Sequence, residues 1–193
     1  MNPPRWLFLL GGANGAGKST VAEMLLPDEM TFLNADEVAK TLPGHPSSAT
    51  EIEAGRIVLS RLDELRTCGE SFAYESTLSG RSLVNRLKQL KAADYRIRLI
   101  YVWSPSADLN VARVADRVRR GGHNVPEEAI RRRFRASWRN LLDLYMPLAN
   151  EWKIYRNIKR EGPSLIAEGG FETNATIVEP ELWKIVMEGP KDE

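Results

Sequence analysis

Short apolar stretches alternate with segments of helical periodicity along this chain. The apolar run Trp6–Leu10 predicts a buried strand, and the apolar residues from Val21 to Leu26 predict a helix behind it. The same pattern predicts further strands at Met30–Leu33, Ser71–Tyr74, Arg96–Trp103, Trp152–Tyr155 and Ser164–Ala167. Further helices are predicted at about Ala49–Thr67, Arg81–Ala92, Ala107–Arg119, Pro126–Tyr145 and Pro180–Met187. This alternation indicates an α/β protein with a mainly parallel sheet.

The strand Arg96–Trp103 is apolar on both faces in its middle and at its end, which is typical of the centre of a parallel sheet. The chain has 193 residues and contains no repeat and no long Pro/Gly/Ser linker. We therefore expect one domain, residues 1–193, with a doubly wound fold. Such a fold is a three-layer α/β/α sandwich, here with an arginine-rich helical lid described below.

Composition excludes several classes of protein. The net charge is 27 − 26 = +1, so no global positive field indicates a nucleic-acid or membrane partner. The single cysteine, Cys68, rules out an internal disulfide and a Cys-rich metal cage. The apolar runs are too short for a bilayer span or a signal peptide. We expect a cytoplasmic protein without a membrane partner.

The clearest motif is a glycine-rich loop between the first strand and the first helix. Residues 12–19 fit G-x-x-x-x-G-K-[ST] in full, and they are Gly12, Ala13, Asn14, Gly15, Ala16, Gly17, Lys18 and Ser19. In such a loop, backbone N–H groups bind phosphate oxygens, and the helix N-terminus favours negative charge. Lys18 is expected to reach the β- and γ-phosphates, and Ser19 to hold Mg²⁺. The motif predicts a nucleoside-triphosphate site. Together with the alternation of strands and helices, it predicts the fold of a P-loop NTPase or kinase.

Two large classes of phosphate-loop protein fit poorly. An ABC-type ATPase needs a strand that ends in Asp-Glu, but Arg96–Trp103 leads into Ser104-Pro105 without a carboxylate. A GTPase usually carries Asn-Lys-x-Asp on a late strand, which this sequence lacks. A small-molecule kinase instead needs a carboxylate near the γ-phosphate and cations over the transferring group, and the sequence offers both.

Two carboxylates follow predicted strands. Asp36 comes after the second strand, and Glu75 ends the third. In a parallel sheet both lie at the edge that carries the phosphate loop, where ligands bind. Asp36 is a candidate base for a substrate hydroxyl, with a helix N-cap as the alternative role. Glu75 is a candidate contact of Mg²⁺ or of a substrate hydroxyl, with capping of the next helix as the alternative.

Arginine is concentrated in residues 113–139. Nine arginines there face three acids, so this segment has a charge of +6 in a chain of +1. Two arginine-rich helices joined by Gly121-Gly122 predict a lid that closes on polyphosphate, because guanidinium groups bind phosphate oxygens bidentately. Most of the nine are expected to form a solvated face. Arg120 and Arg133 are the preferred phosphate ligands, with Arg117 third.

The remaining candidates are weaker. The same arginines suit a nucleic-acid backbone, but no aromatic stacking platform is expected among them, and the net charge is near neutral. His45 and His123 lack the spacing of metal ligands. His123, in the hinge of the predicted lid, is interpreted as a loop residue, although a contact with phosphate is an alternative. Cys68 is interpreted as an inert small apolar residue.

Taken together, these segments resemble the zeta-toxin-like P-loop kinases. The likeness covers most of the chain, and it lies in Gly11–Thr20, Asn34–Asp36, Tyr74–Gly80, Arg119–Pro126, Ile130–Phe134 and Trp152–Asn157. The resemblance implies ATP and Mg²⁺ as cofactors. It also implies that the nucleotide-binding loop consists of residues 12–19 together with Thr20. It implies that Asp36 is the base on a sugar hydroxyl, and that Glu75 and Thr77 contact magnesium and substrate. It also implies two phosphate-binding lid arginines, carried over as Arg120 and Arg133.

The resemblance also implies an acceptor and a partner. Classical zeta toxins phosphorylate UDP-N-acetyl amino sugars and are held by a small antitoxin. This chain is shorter than the classical zeta toxins, and the segments with which those toxins contact the sugar have no match in this sequence. The resemblance therefore supports the kinase chemistry better than it supports the substrate. The sequence therefore predicts an ATP-dependent kinase for a substrate hydroxyl. The alternatives are a metabolite kinase of the gluconate or shikimate type, and a nucleotide-binding ATPase switch acting with nucleic acid.

Overall fold

The computed structural model of this chain describes residues 3–158, 161–171 and 173–190. Seven strands form one sheet in the described part: β1 Arg5–Gly11, β2 Thr31–Leu33, β3 Phe72–Ser76, β4 Tyr95–Trp103, β5 Glu151–Ile158, β6 Gly162–Gly170 and β7 Thr173–Ile177. Seven α-helices accompany them there: α1 Lys18–Leu25, α2 Ala35–Thr41, α3 Ser48–Cys68, α4 Ser82–Ala92, α5 Ala107–Arg119, α6 Glu127–Asn140 and α7 Pro180–Glu188. None of the described helices is both long and apolar enough to cross a membrane.

The sheet has the order β2-β3-β1-β4-β5-β6-β7. The first five strands in this order are parallel, and β6 and β7 extend the sheet in antiparallel fashion. Gly11 at the end of β1 is in register with Ser76 of β3 and Tyr101 of β4. The segments that follow β1, β2 and β3 therefore leave from one edge, where ligands bind in open α/β sheets. The α/β/α fold with a mainly parallel sheet is confirmed.

The core lies on both faces of this sheet. On one face, Leu7 and Leu9 of β1 pack in a large apolar cluster that includes buried residues of α3, α4 and α7. On the other face, Leu10 of β1 packs with Ile100 of β4 and Val21 of α1. The alternation along β1 thus buries successive side chains on opposite sides, because strand side chains point to opposite faces of a sheet.

Local signals account for the helix ends that sequence reasoning located. Ser47 and Thr50 form a capping box at the start of α3, with Thr50 N donating to Ser47 Oγ at 3.2 Å. Gly69 ends the same helix at φ +73°, in the left-handed region that glycine favours. The predicted helix Pro126–Tyr145 is divided, because α6 passes into a π-helical turn at Leu141–Tyr145. Helix α2 and strand β7 had no counterpart in the prediction.

Candidate active site

The glycine-rich loop joins the end of β1 to the start of α1. Its backbone is in the left-handed region at Gly15 and Gly17, with φ of +82° and +98°. A Cβ at Gly15 would lie 2.5 Å from the carbonyl oxygen of Asn110, and one at Gly17 would overlap the side chain of Asn157. Glycine alone fits this conformation and this space. A loop of this form at a helix N-terminus suits a phosphate group.

Lys18 lies in a small polar network at the base of the loop. Its side chain is 7% exposed, and Nζ donates to the carbonyl oxygen of Ala13 at 3.2 Å. Nζ is also 3.5 Å from Oε1 of Glu75, whose Oε2 accepts a hydrogen bond from Nδ2 of Asn34 at 3.1 Å. The network brings together the ends of three neighbouring parallel strands. Glu75 is engaged with Lys18 and does not cap α4, whose N-cap residue is Arg81.

Helix α2 begins at the C-terminal end of β2, and Asn34 is its cap. Oδ1 of Asn34 accepts hydrogen bonds from the backbone N–H groups of Asp36, at 2.8 Å, and Glu37, at 3.4 Å. The N-cap role considered for Asp36 is therefore wrong, because Asn34 takes it. Asp36 is the second residue of α2 and is half-buried.

Two cavities meet at Asn14 and Asp36, which line both of them. The larger cavity, of about 560 Å³, extends from the phosphate loop along α5 to β5 and is lined by Asn14, Gly15, Gly17, Lys18, Ser19, Thr20, Asp36, Glu75, Arg113, Asp116, Arg117, Asn157 and Gly162. The smaller cavity, of about 190 Å³, is lined by Asn14, Ala35, Asp36, Ala39, Glu51, His123, Asn124, Val125, Pro126 and Arg133. The carboxylate of Asp36 thus lies where the cavity at the glycine-rich loop meets the smaller cavity.

The two preferred lid arginines occupy different surroundings. Arg133 lines the smaller cavity, and its Nη1 donates to Oδ1 of Asn14 in the loop at 3.1 Å. Arg120 is 72% exposed, forms an ion pair with Asp116 at 3.0 Å and lines neither cavity. Arg117 lines the larger cavity, and its Nη2 donates to the backbone oxygen of His123 at 2.8 Å. The structure brings Arg133 and Arg117 to the cleft and leaves Arg120 outside it.

Sequence reasoning did not single out Arg113 and Asn157, which attach the loop to its neighbours. The Arg113 guanidinium donates to the carbonyl oxygens of Gly15, Ala16 and Asn157, at 3.5, 3.3 and 3.0 Å. Burial lowers the pKa of Arg113. Asn157 Nδ2 donates to the carbonyl oxygen of Gly17 at 3.3 Å. The only available signals were the arginine cluster and the Trp152–Asn157 segment.

The turn after β3 has a constrained backbone. Leu78 is fully buried and has φ +55°, a left-handed conformation that is uncommon for leucine. Its carbonyl oxygen accepts a hydrogen bond from Nδ2 of Asn140 at 2.8 Å, and the carbonyl oxygen of Gly80 accepts one from the Tyr145 hydroxyl at 2.6 Å. Thr77 is half-buried in this turn, and its hydroxyl pairs with that of Ser79 at 2.8 Å. Thr77 lines neither cavity.

The oxygen donors available for Mg²⁺ are sparse. The described residues contain no cluster of three or more His, Cys, Asp or Glu side chains that could hold a metal. Ser19, Asp36 and Glu75 all line the larger cavity, and their oxygens are of the type that Mg²⁺ prefers. This set suits an ion that arrives with a nucleotide and takes most of its ligands from phosphates and water.

Comparisons with solved structures show the same fold. The chain resembles a chain of the AvrRxo1-ORF1:ORF2 complex solved with ATP, with a TM-score of 0.73 and 18% identity over 94% of this chain. It spans 62% of the length of that chain. It also resembles a chain of the PezAT toxin-antitoxin system of Streptococcus pneumoniae, with a TM-score of 0.65 and 18% identity, over 95% of this chain and 78% of that one.

Sequence comparison gives a relative and a family. An uncharacterized protein of Haemophilus influenzae is 29% identical over 123 residues, which are 64% of this chain and 88% of that protein. The AAA domain family matches residues 7–139, from the first strand through the phosphate loop and both arginine-rich helices, and so covers well over half of the sequence. On this match, the chain belongs to the AAA domain family of P-loop proteins.

Proposed function

We propose that this chain is an ATP-dependent kinase that transfers the γ-phosphoryl group to a hydroxyl of a small molecule. The observation that carries the proposal is the position of Asp36, which lines both the phosphate-loop cavity and the smaller cavity beside it. A base at the junction of two pockets can contact an acceptor in one and a phosphoryl group in the other. An ATPase without an acceptor would not need the second pocket.

The larger cavity suits the nucleotide. Backbone N–H groups of residues 12–20 would bind the phosphate oxygens, and Lys18 would exchange its contact with Glu75 for the β- and γ-phosphates. Arg133, which already contacts Asn14 of the loop, would bind the transferring group together with Arg117, which lines the larger cavity. Arg120 would join them only after a movement of the lid. Residues 113–139 would form the lid. Charge placed in this way stabilises the oxygens of the phosphoryl group as it transfers.

Ser19 and Glu75 are the residues that we propose for Mg²⁺, with Thr77 as a contact of the acceptor. When bound with the nucleotide, Mg²⁺ would offset charge on the phosphate oxygens. Asp36 would take the proton of the acceptor hydroxyl, whose oxygen forms the new bond to the γ-phosphorus as the bond to the β-phosphate oxygen breaks. ADP and a phosphorylated acceptor are the products.

A UDP-N-acetyl amino sugar is the acceptor that we propose, for a cytoplasmic enzyme with an antitoxin as partner. Support comes from the zeta-toxin-like motifs and from the fold shared with a chain of the PezAT toxin-antitoxin system. The cavity of about 190 Å³ would take the sugar ring, while the nucleotide part would lie outside it. The small volume of this cavity favours a second candidate, a metabolite kinase whose whole acceptor is a small hydroxylated compound.

The first test separates these acceptors. Purified protein is incubated with ATP, Mg²⁺ and a metabolite extract rich in UDP-sugars, and the products are identified by mass spectrometry. A phosphorylated UDP-N-acetyl amino sugar supports the proposal in full. A different phosphorylated metabolite supports kinase activity but contradicts a UDP-N-acetyl amino sugar as the acceptor. ADP without any phosphorylated acceptor contradicts the kinase.

Two variants test the proposed roles. Both Lys18→Ala and Asp36→Asn should reduce transfer by about 100-fold or more, because each removes a group that acts on the reacting atoms. Lys18→Ala should also weaken ATP binding markedly, whereas Asp36→Asn should leave it within about twofold, since Asp36 contacts the acceptor. Transfer rates and calorimetric ATP binding are the measurements. Full transfer by Asp36→Asn would contradict its role as the base.

A further inference from the structure

The only two histidines of the sequence come together beside the smaller cavity. His45 lies between α2 and α3, and His123 lies between α5 and α6. Their rings stack with centroids 5.7 Å apart and planes 28° apart. Nε2 of His123 is 3.4 Å from Oε1 of Glu51 on α3. The loop that ends the first arginine-rich helix is thus attached to the region that carries Asp36.

His123 has a buried nitrogen without a partner. The side chain of His123 is 10% exposed, and its Nδ1 is buried with no hydrogen-bond partner among the described residues. Buried polar atoms in folded proteins almost always have a partner, so an orphaned one needs an explanation. Nδ1 of His45 is likewise buried without a partner among the described residues, but only His123 lines the smaller cavity, in which Asp36 also lies. A ligand in that cavity would supply the missing hydrogen bond.

The surroundings of the ring determine what kind of ligand it can bind. The carboxylate of Glu51 lies beside Nε2, so Nε2 is the ring nitrogen placed to donate a hydrogen bond. In the neutral imidazole with its proton on Nε2, Nδ1 has a lone pair and is a hydrogen-bond acceptor. Asp36 and Glu51, which line the same cavity, are also hydrogen-bond acceptors. A compound that forms hydrogen bonds with Asp36, Glu51 and His123 must present several O–H or N–H donors. A carboxylate or phosphate placed against Asp36 and Glu51 would meet repulsion, whereas Arg133 provides a positive charge elsewhere in the lining of the same cavity.

His123 is also linked to the nucleotide side. Arg117 lines the larger cavity, and its guanidinium donates to the backbone oxygen of His123 at 2.8 Å. This bond fixes the position of the loop relative to the larger cavity. The imidazole is therefore positioned from three directions: by the stacked ring of His45, by Glu51 and by Arg117.

We propose that His123 is an acceptor-binding residue, and that its Nδ1 accepts a hydrogen bond from a second hydroxyl or amino group of the acceptor. This inference rests on the proposed function. Such an acceptor must carry two neighbouring donors, one that faces Asp36 and one that faces His123. An acceptor with a single hydroxyl would be a poor substrate.

Steady-state kinetics with the acceptor found in the metabolite extract test the role of the nitrogen. His123→Phe keeps a stacked ring but removes the lone pair, so KM for the acceptor should rise about tenfold, the effect of one hydrogen bond, with KM for ATP unchanged. His123→Asn places an oxygen near the position of Nδ1 and should restore most of the affinity. His45→Phe is the matched control, because it alters the stack outside the cavity and should leave both KM values unchanged.

Two kinetic results would overturn the assignment. One is an unchanged acceptor KM in His123→Phe. The other is an equal rise of both KM values in His123→Phe and His45→Phe, which would indicate a structural role alone. Melting temperatures of all variants show whether each of them is folded.

A binding measurement separates this inference from the proposed function. Nitrogen NMR of the two imidazoles, assigned with the His45→Phe variant, is recorded with a non-hydrolysable ATP analogue and with N-acetylglucosamine as the probe. A shift of the Nδ1 signal of His123, with the His45 signals unchanged, supports the inference even if wild-type protein transfers no phosphoryl group. An Nδ1 signal that the probe leaves unmoved at saturating concentration contradicts it.

Discussion

Arg120 directly follows α5 and Arg133 lies on α6, yet of these two arginines only Arg133 contacts the phosphate loop. Arg133 donates to Asn14, whereas Arg120 is exposed and paired with Asp116. An exposed ion pair is worth little, because water and salt screen it. A guanidinium beside a phosphate-binding loop is far better placed to act on a bound nucleotide.

Arginine substitutions should show this difference. Arg133→Ala should lower kcat for phosphoryl transfer by about 10- to 100-fold, the effect expected from a charged hydrogen bond to the transferring group. Arg120→Ala should change kcat by less than about threefold, since exposed pairs contribute little. Transfer rates at saturating ATP and acceptor are the measurement. Equal losses in the two variants would indicate that the helices move enough on nucleotide binding to bring both arginines to the phosphates.

Sequence reasoning located the phosphate loop, Asp36 and Glu75 without the structure. Their positions follow from the local pattern, since each comes directly after a predicted parallel strand. It ranked Arg120 with Arg133 and ahead of Arg117, whereas Arg117 lines the larger cavity and Arg120 is exposed. The order of the arginines depends on which helix face meets the loop, and the sequence does not show this. Sequence reasoning likewise treated His45 and His123 as unrelated, because the contact between them joins two loops that are far apart in sequence.

At the scale of elements, the short helix α2 depends on Asn34 for its start and for its place in the site. The side chain of Asn34 accepts from the N–H groups of two residues of α2, and also donates to Glu75 of β3. One residue therefore joins the helix that carries Asp36 to the strand that carries Glu75.

Removal of this cap should affect both stability and activity. Asn34→Ala should destabilise the fold by about 1 kcal/mol, because it leaves N–H groups of α2 unsatisfied, which corresponds to about 2–4 °C in melting temperature. It should also reduce transfer, since Asp36 loses its anchor. Ser47→Ala, which removes the cap of α3, is the control. It should lower stability by a similar amount while phosphoryl transfer is retained. Thermal unfolding and transfer rates are the measurements, and full activity in Asn34→Ala would contradict the positioning role.

The sequence pattern missed three elements, each for a different physical reason. Helix α2 has seven residues, too few to display a clear 3.6-residue apolar period. Strand β7 is exposed along its whole length, so no alternation of apolar and polar residues marks it. The π-helical turn after α6 comes from hydrogen bonding within a continuous apolar pattern, which reads as a longer α-helix. Periodicity in a sequence thus reveals elements that are long, partly buried and regular, and it fails where one of these three conditions is absent.

At the scale of the whole molecule, burial changes the acid–base behaviour of all five tyrosines. Burial raises the pKa of Tyr101 and Tyr145 to about 12, and it also raises the pKa of Tyr74, Tyr95 and Tyr155. An unfolded chain releases phenolic protons near pH 10, at which the folded chain keeps them. The free energy of unfolding is therefore unaffected by these groups below pH 10 and falls as the pH rises toward 12.

Titration of tyrosinate absorbance tests this expectation. The folded protein should ionise its tyrosines well above the midpoint of the urea-unfolded chain, which should titrate near pH 10. Denaturant unfolding should show stability declining between about pH 10 and 12. Coincident titration curves for the folded and unfolded chains would show that the phenols are not shielded from water.

Arg113 lies in the wall of the larger cavity and donates to three backbone carbonyl oxygens. Carbonyl groups have a dipole but no net charge, so these bonds distribute the positive charge without neutralising it. One unit of charge is thereby fixed beside the loop that we propose binds polyphosphate. The fold itself thus provides part of the counter-ion atmosphere that a nucleotide would otherwise take from dissolved salt.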